Sequence, residues 1–159
     1  MRRGFSSFVV LFVLFLVIGV LPNQVQAFDT DGEDAVGVKI TKASYLDLDK
    51  DKQKDDILTI FDILIPQNAY VLFHIRMSIE LPSGLEYDFA FLLESYTSIE
   101  VAIGWYNTVS ESGWYRFKVV VKIADGLDLK GGCDIVDFDP PELNPGLPDF
   151  QLIYTRVIM

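Results

Sequence analysis

The sequence predicts an all-β fold, an antiparallel β-sandwich of about seven strands, preceded by a signal-peptide helix. Three observations predict it. Beyond residue 35 the apolar residues recur with a period of two, and Pro, Gly, Ser and Asn punctuate the gaps between runs. No stretch of that region carries a sustained helical stripe.

The N-terminus is read first because it is removed from the fold. Arg2 and Arg3 precede an apolar run from Phe8 to Leu21, then Pro22 and a short polar stretch ending Val25-Gln26-Ala27. A charged start, an apolar centre and a small residue at the cleavage position describe a secretory signal over residues 1–27. Retention of residues 5–21 as a membrane anchor is the alternative, and it is disfavoured because a spanning helix needs about 20 apolar residues. Only in that case is a membrane contact expected. Residues 28–35 then form an acidic N-terminal tail, residues 36–139 the sandwich, and residues 140–159 a Pro-rich tail with a candidate terminal strand.

The strands follow in order. Val36, Val38 and Ile40 share one face of the first. Ile57 to Ile65 is apolar on both faces except for Thr59 and Asp62, as in a central strand. Val71 to Leu81 alternates cleanly, with His74, Arg76 and Glu80 on the polar side. Pro82-Ser83-Gly84 makes a tight hairpin to the run of Leu85, Tyr87, Phe89 and Phe91. Ile99 to Trp105 and Tyr115 to Ile123 complete six strands, with Trp105 on the core side. A seventh is expected after Gly126, with Ile135–Phe138 as a short edge candidate and 151–159 either closing the sheet or trailing away.

Composition narrows the function. Without residues 1–27 the chain has 11 basic and 23 acidic side chains, a net charge of −12, which argues against nucleic acid and anionic lipid. One cysteine, Cys133, excludes an internal disulfide, and one histidine, His74, on a polar strand face leaves little for nucleophilic catalysis. The expected product is a non-enzymatic module, secreted or held at the cell surface, whose partner would be a cell-surface protein or a glycan.

Two groups are candidates for binding. Asp47 to Asp56 reads DLDKDKQKDD, five carboxylates and three lysines in ten residues. Counted from Asp47, carboxylates fall at positions 1, 3, 5 and 9, namely Asp47, Asp49, Asp51 and Asp55. Gln53 stands at position 7, where a backbone carbonyl suffices. Calcium takes six to eight oxygen ligands, and a loop offering one at every second residue supplies them. Over these nine residues the loop resembles the DxDxDGxxD calcium loops of FG-GAP, thrombospondin type 3 and dockerin modules. That resemblance implies a calcium site at Asp47, Asp49, Asp51, Gln53 and Asp55. It departs from the pattern at position 6, Lys52 in place of glycine, and at position 12, Leu58 in place of an acid, with Asp56 as a partial substitute. A weak site is expected, about 0.1–1 mM, as in extracellular modules. DTDGED at 29–34 resembles half of such a loop and is read as a solvated tail.

The second group is aromatic. Trp114 and Tyr106 flank the turn Ser110–Gly113, where exposed rings would stack on a sugar, and a carbohydrate-binding module is the alternative function. Gly113-Trp114-Tyr115 resembles the Gly-x-Tyr entry to a late strand in immunoglobulin- and fibronectin-like sandwiches, whose tyrosine pins a corner. The architecture as a whole resembles such sandwiches in secreted prokaryotic proteins.

Overall fold

The computed structural model describes residues 36–65, 70–123, 131–139 and 149–158. The signal segment, the acidic tail with its DTDGED stretch and the Pro66–Asn68 turn lie outside the described residues.

The described chain is all-β, with eight strands in two antiparallel sheets. They are β1 (Gly37–Leu46), β2 (Asp56–Leu64), β3 (Val71–Glu80), β4 (Glu86–Ser95), β5 (Ile99–Tyr106), β6 (Tyr115–Ile123), β7 (Gly132–Phe138) and β8 (Asp149–Val157). The first sheet runs β1-β2-β5-β8 and the second β4-β3-β6-β7. The sandwich therefore extends past residue 139, because the candidate terminal strand pairs with β5.

Alternation places the core. Ile57, Phe61 and Ile63 of β2 and Val101, Ile103 and Trp105 of β5 face Phe73, Ile75, Met77 and Ile79 of β3 and Phe117, Val119 and Val121 of β6. All of these are fully buried. Trp105 packs edge-on against Phe89 and Phe117, as its parity implied. Its indole N–H donates to Thr59 Oγ1 at 3.0 Å, so the one inward polar residue of β2 is satisfied by the largest core side chain. His74 is exposed on the outer face of β3, beside Leu92 and Lys122.

Two close approaches finish the sandwich. Tyr115, fully buried at the start of β6, donates its hydroxyl to the Glu111 carbonyl and accepts from the N–H groups of Ser110 and Glu111. On one open side the edge strands β1 and β7 meet. The Ile40 N–H, at a bulge in β1, donates to Asp134 of β7 at 2.7 Å, and Gly132 lies against the Val36 carbonyl.

The outer face of the first sheet carries one buried electrostatic conflict. Asp62 and Glu100 are direct cross-strand partners. Glu100 is held by Tyr154 and Arg156 of β8, whereas Asp62 Oδ1 is buried without a partner. Burial raises the Asp62 pKa, Glu100 raises it further, and Lys39 and Arg156 oppose. A carboxyl whose folded pKa lies above its unfolded one destabilises the fold above that folded pKa and ceases to do so as pH falls through it. Asp62→Asn should therefore melt a few degrees higher than the parent at pH 7, with the gap closing below the ordinary carboxyl range. Melting curves from pH 3 to 8 check this; a gap independent of pH would refute it.

Candidate metal centre

The acidic loop joins β1 to β2, and strand pairing fixes its mouth. The last ladder pair is Leu46 with Asp56, so Asp47 and Asp55 stand at the mouth of the loop just beyond the ladder. Asp47 Oδ1 and both Asp55 oxygens are buried and accept no hydrogen bond. Asp55 is wholly inaccessible to solvent.

Three of the loop's acids converge. Asp47, Asp49 and Asp56 each place one carboxylate oxygen within 4.8 Å of the other two. At such a separation two unit charges repel by roughly 3 kcal/mol at an effective dielectric of 20. Asp56 Oδ2 accepts the N–H groups of Leu48 and Asp49, and its Oδ1 accepts that of Asn107 at 2.9 Å. This carboxylate thus fastens the loop to the end of β5 as well as joining the cluster. Asp55 does the equivalent with its backbone, its carbonyl accepting from Thr108 and Val109. Burial is the main cause that raises the Asp55 pKa. Asp51, Asp56 and Asp49 add to it, partly offset by its own backbone N–H, which does not reach hydrogen-bonding geometry.

The lysines do not neutralise the loop. Lys50, Lys52 and Lys54 are exposed, and among the described residues no ion pair joins them to the five aspartates. They line the solvent side.

Of the residues singled out by register, Asp47 and Asp49 come together; Asp55 is buried but does not join their cluster. Asp51 is exposed and is occupied by the backbone N–H and side-chain amide of Gln53, at 2.7 and 3.0 Å. Asp56 takes the place in the triad that loop counting gave it only in part. The signal was the Asp55–Asp56 doublet at a strand start, where consecutive side chains point to opposite faces and two surfaces receive a carboxylate.

Lys52 answers the missing glycine. Its φ is +77°, so the chain makes the left-handed turn of position 6 with a side chain that disfavours it. Lys52→Gly should remove about 1–2 kcal/mol of strain, less roughly 0.5–1 kcal/mol for glycine's greater freedom when unfolded. A melting temperature a few degrees higher, together with tighter calcium binding, is the expected result. A lower melting temperature without gain in binding would show that the turn is unstrained.

The aromatic candidates do not form one platform. Trp114 is 67% exposed and leads into β6 of the second sheet. Tyr106 is half-buried on β5 of the first sheet, and its hydroxyl turns to Gln151 at 3.4 Å.

Comparison with protein families, with curated proteins and with solved structures finds no match to this chain. No helix among the described residues is long and apolar enough to cross a membrane.

Proposed function

We propose that the chain is an exported, non-catalytic β-sandwich module, structural or adhesive, whose Asp47–Asp56 loop holds a divalent cation. The observation that carries this reading is the Asp47, Asp49 and Asp56 triad, whose carboxylate oxygens lie within 4.8 Å of one another, with Asp47 Oδ1 buried and reached by no donor. An unpaired buried carboxylate is costly in low dielectric, and a cation at the loop mouth converts that cost into coordination. The donors are all hard oxygens, which suits calcium over the softer transition metals. Asp49, Asp56 and the loop carbonyls complete the set of oxygens available. The ion's task is mechanical, closing the hinge between β1 and β2.

Export is supported by the N-terminal pattern of residues 1–27. The strand order, β1-β2-β5 against β4-β3-β6-β7, and the Tyr115 corner support an immunoglobulin/fibronectin-like type, with β8 an added edge strand. Such a module would meet a cell-surface protein or glycan.

Isothermal titration of the chelated protein with calcium tests the site. A one-to-one heat with a Kd of about 0.1–1 mM, absent from Asp47→Ala, is expected. No heat at millimolar calcium would remove the cation from the reading.

A further inference from the structure

Resting on that cation reading, we propose that occupancy of the Asp47–Asp56 site controls the docking of the C-terminal strand β8, through Leu48. Gly104, buried on the outer face of central strand β5, is where the two meet. A Cβ placed there would meet Leu48 Cδ1 at 3.1 Å, Ile153 Cδ1 at 3.1 Å and Tyr106 Cε2 at 3.2 Å. Three side chains therefore converge on one stretch of bare backbone. Leu48 comes from inside the acidic loop. Ile153 is the extra residue of the β8 bulge, lying between the pairs Ala102–Tyr154 and Ile103–Leu152, and the bulge aims it at this notch. Tyr106 touches β8 again through Gln151.

The coupling follows from what holds Leu48. Its N–H is bound by Asp56 Oδ2, and the same oxygen binds Asp49. Asp56 is also a member of the triad. The carboxylate that would face the ion is thus the one that positions Leu48 over Gly104. Without the ion, repulsion among Asp47, Asp49 and Asp56 acts on the residues either side of Leu48. The leucine then leaves the notch, and Ile153, itself 40% exposed, loses the apolar side chain that shares the Gly104 notch with it. Strand β8 is sensitive to that loss because among the described residues it pairs with β5 alone and it exposes six of its nine residues.

Hydrogen–deuterium exchange of the full chain, in 10 mM calcium and in EDTA, tests the coupling alongside calorimetry. The expected result is exchange of β8 peptides at least ten-fold faster in EDTA, with β3 and β6 peptides unchanged. Leu48→Ala should still bind calcium yet exchange β8 fast in both conditions. Calcium binding with β8 exchange unaltered would overturn the coupling and leave the cation site standing. So would calcium-dependent β8 protection that survives in Leu48→Ala, or equal loosening of β3 and β6. Absence of calcium binding would overturn the cation reading and this inference together.

Discussion

Replacing Gly132 by alanine is expected to destabilise the protein by about 3 kcal/mol, at the upper end of what overpacking costs. The added methyl would stand 2.3 Å from the Val36 carbonyl oxygen and 2.8 Å from Val38 Cγ2. Carbonyl oxygen is backbone and cannot swing aside, and β1 is held along nine register pairs with β2. The seam between β1 and β7 must therefore open. Opening it also lengthens the Ile40–Asp134 contact, leaving a bulge N–H without its acceptor. For a domain of this size the loss corresponds to a melting temperature lower by roughly 10 °C. Chemical denaturation with an unchanged m-value and a lower midpoint checks it. An effect under 1 kcal/mol would mean that β7 is not packed against β1. The seam matters for the site because β1 delivers Asp47.

Much of this fold was legible in the sequence, for reasons that particular residues show. Strands β3 and β6 alternate without interruption, so their inward residues were readable directly, as was Trp105 by parity with Ile103. The hairpin at Pro82–Gly84 was legible because Gly84 takes a φ of +84°, which the turn needs. The second half of β1 was not legible. At the bulge the register shifts between Ile40 and Lys42, and alternation in the remaining residues TKASYL changes phase. Strand β8 carries the same kind of interruption at Ile153 and follows a proline-rich stretch, so that composition alone left it between strand and tail. At the site, spacing marked Asp47, Asp49, Asp51, Gln53 and Asp55, of which only Asp47 and Asp49 join the triad. Which of Asp55 and Asp56 faces inward depends on where β2 begins to pair, and that is set by its partner strand. The notch at Gly104 joins residues 48, 104 and 153, a contact with no local signature.

Calcium is expected to raise the melting temperature of residues 28–159 by several degrees, and Asp47→Ala to abolish the rise. A ligand that binds only the folded chain stabilises it by about 1.4 kcal/mol at ten times its Kd and about 2.7 kcal/mol at a hundred times. For a domain of this size the larger figure corresponds to roughly 8 °C. Asp47→Ala acts on both sides of the balance. It deletes a carboxylate with a buried, unpartnered oxygen, so in EDTA the variant should melt at or above the parent despite losing the acceptor of the Lys52 N–H. In saturating calcium the order should reverse, because only the parent gains from binding. That crossing of two melting temperatures separates a cation site from a charged turn. In a charged turn, relief of repulsion would leave the variant at or above the parent in both buffers. A variant that melts lower in both would make Asp47 a hydrogen-bonding residue of the turn. Magnesium supplies the second contrast: it demands octahedral geometry and gives up its waters reluctantly, so an oxygen loop built on clustered carboxylates should respond to it less than to calcium.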